Sequence, residues 1–402
     1  MRKKLVCCLA ATAVALSFTS AIAQKKYDTG ASDTEIKIGQ AAPFSGPASA
    51  FATIAKVEAS YIKMINDRGG VNGRKINLIQ YDDAYSPPKT VEQVRKLVES
   101  DEVLATFQVI GTPTNTAVQK YLNAKKVPQL LASSGADRFS DPANFPWTIG
   151  FPPGIKTEGR MLARYILANY SNAKIGIFYQ NDDMGKDYTL GLKEGLGDKA
   201  AGMIVGEVSY ELTDPTIDSQ IIKLKSGGAD LLYIASTPKF AAQAIKKVAE
   251  LGWKPVRVLV SASASINATI IPAGVEISKG IISANYLKDP LDPTLKDDPG
   301  MQKYMSLMDK YYPEGQKTNS SNAFGYSAAQ LLVHILEKCG DDLTRENIMK
   351  QATSLKSVQL DLSLPGVSID TSPTDYRILK QFRMLTFNGE RWDGFGPIID
   401  GD

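Results

Sequence analysis

Short segments rich in β-branched residues alternate with amphipathic helical segments along most of the chain. The segment EIKIGQA (35–41) predicts a strand, and apolar residues recur every three or four positions across residues 51–65, which predicts a helix. Gly69 and Gly70 follow and are suited to end that helix. The segment KINLIQY (75–81) predicts the next strand. Such alternation is typical of parallel sheets with helices on both faces.

The alternation begins again after WTIGF (147–151), which indicates a second lobe. We therefore expect an α/β fold of two doubly wound, Rossmann-like lobes joined by hinge segments. Ligands of such sheets bind beyond the carboxyl ends of the strands, so we expect the ligand cleft between the lobes. The predicted N-terminal lobe comprises residues 24–146 and 286–355, and the predicted C-terminal lobe comprises residues 147–285 and 356–402. We expect the hinges near residues 147–153, 283–287 and 354–360.

The tail of the chain carries a different pattern. The segment KQFRMLTFNGERW (380–392) has two β-rich runs around Asn388-Gly389. Because this dipeptide favours the tight turns that join antiparallel strands, the segment predicts a β-hairpin.

Residues 1–23 have the three parts of a secretory signal peptide. Basic residues at positions 2–4 precede an apolar run, and Ala21-Ile22-Ala23 ends the segment, so cleavage is expected after Ala23. A membrane anchor is the alternative, but the apolar run is short for the roughly 20 residues that cross a bilayer. No cysteine follows the cleavage site, which argues against a lipid-modified terminus. We therefore expect a periplasmic protein that is not a lipoprotein.

Removing the signal peptide changes the charge of the chain. The full sequence has 46 basic and 43 acidic residues, and three of the basic residues belong to the signal, so the remainder is neutral overall. This balance argues against nucleic acid as a partner. Cys7 and Cys8 leave with the signal, and Cys339 alone cannot form an intrachain disulfide.

The sequence offers little material for catalysis or metal binding. His334, the single histidine, lies in a run with helical apolar spacing and is interpreted as a helix residue near the core. One histidine cannot build a multi-histidine metal site, and a Ser-His-Asp triad would need that same residue. No nucleophile elbow, phosphate-binding loop or dinucleotide motif occurs. We therefore expect no enzyme activity, no catalytic residues, no metal and no cofactor.

The adjacent acids Asp82 and Asp83 raise three interpretations: general acid–base catalysis, a metal site, or the end of a strand. They follow the predicted strand 75–81 directly, and Pro87 and Pro88 delay the next helix. We interpret the pair as the end of the strand.

Several segments occur together in an order found in one family: IKIGQAAPFSGPASAFA, NDRGGVNGRKINLIQYDDAYSP, VIGTPTNTAVQKYL with PQLLASSGA, IFYQNDDMGKDY and LGWKP. In these segments, the chain resembles the periplasmic solute-binding proteins of ABC importers, in particular the leucine/isoleucine/valine-binding branch with the type I periplasmic binding fold. The resemblance extends through nearly the whole chain after the signal. It implies binding of a small molecule between the lobes and delivery to a permease in the inner membrane.

The resemblance also implies which residues bind the ligand. In the first lobe, hydroxyl and backbone N–H groups of two loops would hold a ligand carboxylate, and an aromatic side chain would cover the ligand. The matching residues in this sequence are Phe51, Thr112, Thr114, Ser134, Gly135, Ala136 and Asp137.

The second lobe departs from the amino-acid-binding pattern. Met184 and Ser236 match positions where the family carries tyrosines, and Ser263 matches the acid that accepts the ligand's ammonium group. Asp137 or Asp183 are alternative partners for an ammonium group, and Phe151 is expected in the apolar lining. This pattern favours a small hydrophobic or aromatic carboxylate as the ligand. A branched-chain or other neutral amino acid is the alternative.

Two further expectations concern partners. We expect a monomer that binds a small organic acid or amino acid and presents it to a cognate ABC permease. A periplasmic ligand sensor is the alternative role, because the same two-lobe fold occurs in receptor ectodomains.

Overall fold

The computed structural model describes residues 25–401, so the predicted signal peptide at residues 1–23 lies outside the described residues. The described strands are β1 (Lys26–Tyr27), β2 (Glu35–Ala42), β3 (Lys75–Asp82), β4 (Ala105–Phe107), β5 (Gln129–Ala132), β6 (Thr148–Gly150), β7 (Ile175–Gln180), β8 (Ile204–Tyr210), β9 (Leu231–Ala235), β10 (Val256–Leu259), β11 (Ile282–Asn285), β12 (Asp342–Leu343), β13 (Gln381–Phe387) and β14 (Trp392–Asp400).

Helices lie between most of these strands in sequence, as the apolar spacing predicts. They are α1 (Ala52–Asp67), α2 (Pro87–Glu99), α3 (Thr112–Ala124), α4 (Ile155–Asn169), α5 (Asp183–Leu196), α6 (Ala200–Met203), α7 (Asp218–Ser226), α8 (Pro238–Glu250), α9 (Ile271–Ala273), α10 (Pro299–Tyr311), α11 (Ser320–Cys339) and α12 (Arg345–Ala352). No helix within residues 25–401 is long and apolar enough to cross a membrane.

The first lobe is built on a parallel five-stranded sheet with the order β3-β2-β4-β5-β6. Apolar side chains of β2 such as Ile36 and Ile38 are buried between the sheet and helix α1, which buries Val57 and Tyr61 against them. Helices α10 and α11, far along the chain, return to pack on α1. The first lobe therefore contains two separate stretches of sequence.

The second lobe is built on a seven-stranded sheet with the order β14-β13-β11-β10-β9-β7-β8. Strands β7 to β11 pair in parallel with one another, whereas β13 is antiparallel to both β11 and β14. The predicted hairpin is confirmed: Asn388 N–H donates to the Arg391 carbonyl, and Gly389 has a φ of +110°. The two-lobe α/β fold predicted from the alternation is likewise confirmed.

Strand pairing differs from the predicted lobe boundary at residue 147. β6 (Thr148–Gly150) hydrogen-bonds to β5 and belongs to the first sheet, although we expected residues from 147 onward in the second lobe. The chain crosses through residues 151–154 and enters the second lobe at α4. The apolar run that suggested a new lobe is instead an edge strand of the first sheet.

The third crossing also lies later than expected. Asp361 accepts hydrogen bonds from Lys303 and Tyr326, which lie on α10 and α11 of the first lobe. Ser363 pairs with Leu287 in an isolated bridge on the same side. The chain therefore joins the second sheet only at Gln381, where β13 begins.

The acid pair at the end of β3 is bonded to neighbouring chain groups. Asp82 accepts hydrogen bonds from the Ser45 hydroxyl at 2.6 Å and the Ala84 N–H at 2.9 Å. Asp83 is buried and accepts from the Tyr85 N–H at 2.9 Å and the Thr90 hydroxyl at 2.8 Å. These bonds close the turn from β3 into α2, in agreement with the strand-end interpretation.

Candidate ligand-binding site

A cavity of about 160 Å³ lies between the two lobes. The first lobe contributes loops at the carboxyl ends of β3, β4 and β5, and the second lobe contributes the starts of α4 and α5. The crossing segments form part of the wall through Pro152, Pro153, Asn285, Tyr286 and Leu287. The cavity therefore lies at the place that the doubly wound topology predicts, in contact with the residues about which the lobes would move.

Two hydroxyl groups meet on the first-lobe side of the cavity. Thr112 Oγ1 and Ser134 Oγ are 2.6 Å apart, and both residues are buried on the cavity wall. Thr112 is the first residue of α3, and the first N–H groups of a helix have no acceptor within the helix. Together with the positive end of the helix dipole, these donors suit an anionic oxygen.

Gly135 brings the loop after β5 against the first crossing segment. A Cβ atom at this position would lie 1.9 Å from the Pro153 carbonyl oxygen, so a side chain cannot be accommodated without moving the backbone. The next residue, Ala136, donates its N–H to Ser134 Oγ at 3.3 Å. The loop thus fixes the Ser134 hydroxyl at the edge of the cavity.

Tyr85 is a wall residue that sequence reasoning did not identify as a ligand contact. It has a left-handed backbone with φ of +59°, in the turn closed by Asp83, and its ring packs on Gly111. Its burial and the nearby carboxylates raise the pKa of its hydroxyl well above the usual value, so the hydroxyl is neutral and can donate. The sequence indicated a turn after Asp83 that contains Tyr85, but nothing in it indicated that the Tyr85 ring lies beside Gly111.

Glu158 is an acidic residue on the second-lobe side of the cavity, in the first turn of α4. Its carboxyl accepts hydrogen bonds from the Ser261 N–H at 2.6 Å, the Ser261 hydroxyl at 2.6 Å and the Tyr188 hydroxyl at 3.0 Å. Burial raises the pKa of Glu158 to about 7, against the lowering effect of these donors. Sequence reasoning missed Glu158, although it lies three residues after Ile155 on the buried face of α4, where a lone carboxyl is unusual.

The rest of the wall is mainly apolar. Phe51, Phe324, Met184 and Trp392 all contribute to it. The Trp392 indole N–H donates to the Ala264 carbonyl at 2.7 Å, which orients its ring. Most of the ligand surface would therefore contact carbon, with polar groups at a few defined positions.

Residues 35–391 match the periplasmic binding protein family. The chain belongs to this family.

Similar proteins span most of the chain. A Leu/Ile/Val-binding protein homologue 7 from Brucella suis is 22% identical, and the match covers 83% of this chain and 84% of the relative. A branched-chain amino acid ABC transporter protein from Thermus thermophilus, solved with bound valine, has a TM-score of 0.81 at 17% identity over 91% of this chain and 97% of that one. A fatty acid ABC transporter substrate-binding protein from Thermomonospora curvata has a TM-score of 0.78 at 21% identity over 94% and 95%. The resemblance stated from the sequence is confirmed at the level of the family and its fold.

This periplasmic binding protein brings five of the predicted ligand residues to the cavity. Phe51, Thr112, Ser134 and Gly135 line it from the first lobe, and Met184 lines it from the second. The first-lobe residues were predicted from segments whose order in the family is distinctive, and their role in ligand binding stays a prediction.

The other predicted residues do not line the cavity. Thr114 donates its hydroxyl to the Ile110 carbonyl at 2.6 Å, within the turn that begins α3. Ser263 donates its hydroxyl to the Ser236 carbonyl, while the Ser236 hydroxyl is buried without a hydrogen-bond partner among the described residues. Ala136 and Phe151 are buried behind the wall, where Phe151 packs on the wall residue Phe324 with ring centroids 5.1 Å apart. These side chains support the wall instead of forming it.

Asp137 and Asp183, our alternative partners for a ligand ammonium group, bind protein cations outside the cavity wall. Asp183 pairs with Arg138 across the lobes at 2.9 Å. Asp137 pairs with Lys156, also across the lobes, at 2.9 Å. The acidic residue that lies on the second-lobe part of the cavity wall is Glu158.

Proposed function

We propose that this periplasmic binding protein binds a small hydrophobic or aromatic carboxylate in the cavity between its lobes and delivers it to an ABC permease of the inner membrane. The observation that carries the proposal is the pair of hydroxyls, Thr112 and Ser134, beside the N-terminus of α3 at one side of a mainly apolar cavity. The proposed function consists of binding the ligand and releasing it, in keeping with the family.

The charge on the cavity wall supports recognition of a carboxylate by neutral donors. Among the described residues that line the cavity, Lys288 is the one basic side chain, and its ammonium lies 2.8 Å and 2.9 Å from the Asp298 carboxylate oxygens. The ligand carboxylate would therefore bind hydroxyl and N–H groups, which fix its position without a full opposing charge.

A second candidate ligand is a neutral amino acid, and Glu158 is the observation that favours it. The case for a ligand without an amino group rested on the loss of an acid near Ser263, and Glu158 places a carboxyl on the same lobe's side of the cavity. A ligand ammonium group would compensate the buried charge of this carboxyl. The similar proteins named for leucine, isoleucine and valine or for bound valine also support this candidate.

A thermal-shift panel with matched ligand pairs separates the two candidates. Each pair shares a carbon skeleton and differs by the amino group, for example 3-phenylpropanoate with phenylalanine and 4-methylpentanoate with leucine. A ligand at 100 times its dissociation constant adds about 2.7 kcal/mol to stability, which shifts the unfolding midpoint by several degrees. The larger shift identifies the class of ligand.

Matched variants locate the binding site in the same assay. Thr112→Val removes a cavity hydroxyl and is expected to abolish most of the shift, whereas Thr213→Val changes an exposed threonine outside the cavity wall and is expected to leave it intact. Equal shifts in both variants would place the ligand elsewhere. A panel in which neither member of any pair shifts the midpoint would overturn the proposed ligand class.

A further inference from the structure

We infer that five charged residues form a clasp between the lobes that favours the closed arrangement independently of the ligand. The clasp comprises Asp137 and Arg138 of the first lobe and Lys156, Asp183 and Asp187 of the second. The clasp acts on the balance between open and closed forms, whichever ligand the cavity takes.

The clasp contains two ion pairs of opposite polarity. The first lobe supplies the cation Arg138, whose Nη1 lies 2.9 Å from Asp183 Oδ2. The second lobe supplies the cation Lys156, whose Nζ lies 2.9 Å from Asp137 Oδ2. In these two pairs, each lobe thus offers one cation and one anion to its partner.

Arg138 is held in position before it meets the second lobe. Its Nε donates to Gln119 Oε1 at 2.8 Å, and the buried Gln119 amide donates back to the Arg138 carbonyl at 2.8 Å. The guanidinium also lies 5.7 Å from the centre of the Phe145 ring. Because these contacts all belong to the first lobe, the guanidinium loses little conformational freedom when it binds Asp183.

The second ion pair is extended by Asp187 of α5. Lys156 Nζ lies 3.8 Å from Asp187 Oδ1, and the backbone N–H of Asp137 donates to Asp187 Oδ2 at 3.3 Å. Thr116, on α3 of the first lobe, adds a longer bond of 3.4 Å to Asp183. Asp137 and Asp183 therefore each have partners on the opposite lobe, and those bonds break when the lobes separate.

The size of the effect follows from solvent exposure. The side chains of Arg138 and Asp183 are 28% and 43% exposed, so solvent screens the pair and its contribution is that of a surface ion pair. We expect each pair to raise the ratio of closed to open molecules about two- to fivefold. Since the ligand binds the closed form, the same factor enters its apparent affinity and its release.

The ratio can be measured by pulsed electron spin resonance on the protein without ligand. Spin labels are attached at Lys120→Cys on the first lobe and Asp198→Cys on the second, both exposed. Cys339 stays in place, because it is buried and its pKa is raised to about 12, which prevents labelling at neutral pH. The distance distribution then gives the populations of closed and open forms.

The test variant removes both carboxylates, Asp137→Asn with Asp183→Asn, and is expected to lower the closed-to-open ratio about four- to twenty-five-fold. The control is Glu194→Gln, which breaks a pair with Arg160 inside the second lobe at 3.0 Å and with 30% and 41% exposure. The control is expected to keep the wild-type ratio. Raising NaCl from 0.05 M to 1 M should lower the ratio in wild type and not in the double variant.

A charge exchange completes the test. Asp183→Arg alone places a second cation opposite Arg138, so it should open the cleft further. Adding Arg138→Asp recreates a pair of opposite charges and should restore part of the closed population. A double variant that changes the ratio no more than Glu194→Gln overturns the inference, as does a wild-type protein that populates the open distance alone.

Discussion

The pKa of the buried Glu158 carboxyl depends on its immediate neighbours. Removal from water opposes its charged form, while Ser261 and Tyr188 supply three donors that favour it, and the pKa of about 7 expresses the balance. Close packing of α4 on α5 permits this contact, because a Cβ at Gly191 would lie 2.4 Å from the Lys156 carbonyl oxygen. Tyr188 is thereby brought within reach of Glu158.

This balance predicts a specific dependence of folding on pH. The pKa of Glu158 is about 7 in the folded chain against 4.5 for an ordinary glutamate, so the folded state holds a proton that the unfolded state has released between these values. The Glu158 carboxyl therefore contributes a loss of stability of about 3 kcal/mol as pH rises through this window. Glu158→Gln carries no charge and should lack this loss when urea unfolding is compared at pH 5 and pH 8.

The exposed Glu194→Gln is the control for this comparison, and we expect it to keep the wild-type pH dependence. A Glu158→Gln protein whose stability falls as steeply as wild type between pH 5 and pH 8 would contradict the assignment of the raised pKa to this carboxyl.

At the scale of elements, the start of α3 and the turn after β3 depend on each other. Gly111 precedes α3 with φ of +106° and ψ of 152°, a conformation available almost only to glycine. A Cβ there would lie 2.2 Å from the Tyr85 ring. The absence of a side chain at one element therefore makes room for the aromatic ring of another.

Gly111→Ala is expected to destabilise the protein by about 2–4 kcal/mol, because backbone strain adds to the clash with Tyr85. Gly228→Ala is the matched control, since Gly228 has φ of +81° and open space around it, and should cost about 1 kcal/mol. Urea unfolding measures both values.

A second background separates strain from clash. In a Tyr85→Ala protein, the cost of Gly111→Ala should fall by about 1–2 kcal/mol, because the ring is gone. An identical cost in both backgrounds would show that the ring and the glycine are energetically independent.

At the scale of the whole molecule, three crossing segments connect two lobes that are each built on their own sheet. Residues 151–154 and Tyr286-Leu287 lie between elements of different sheets and contribute to the cavity wall. A ligand in this cavity touches both lobes only when they meet, so it stabilises the closed arrangement by its differential contacts.

Ligand binding should therefore reduce the radius of gyration measured by small-angle X-ray scattering, with each lobe moving as a unit. Hydrogen exchange should slow at residues 135–138 and 183–187 on the cleft edges, while the hairpin turn at Asn388-Gly389 should exchange as before. Unchanged scattering at saturating ligand would argue against closure about these segments.

Much of this architecture was predictable from periodicity. Alternating β and α segments, the order of the family motifs and the Asn388-Gly389 turn are local patterns, and each led to the correct element. The lobe boundaries were harder, because β6 is an edge strand whose membership depends on its pairing with β5. A strand's sequence reports burial and says little about which sheet buries it.

The sequence by itself determined the family and the two-lobe α/β fold, because loops such as 111–116 and 133–137 have a distinctive composition and a fixed order. It also predicted four first-lobe residues that lie on the cavity wall, Phe51, Thr112, Ser134 and Gly135. Only the tertiary structure decided that Glu158, and not Asp137 or Asp183, lies on the cavity wall. Asp137 and Asp183 bind cations across the cleft edge, and Glu158 occupies the wall beside Ser261, more than a hundred residues away in sequence. The physical reason is that the environment of a carboxyl depends on groups distant in sequence, and only the packing of the lobes brings those groups together.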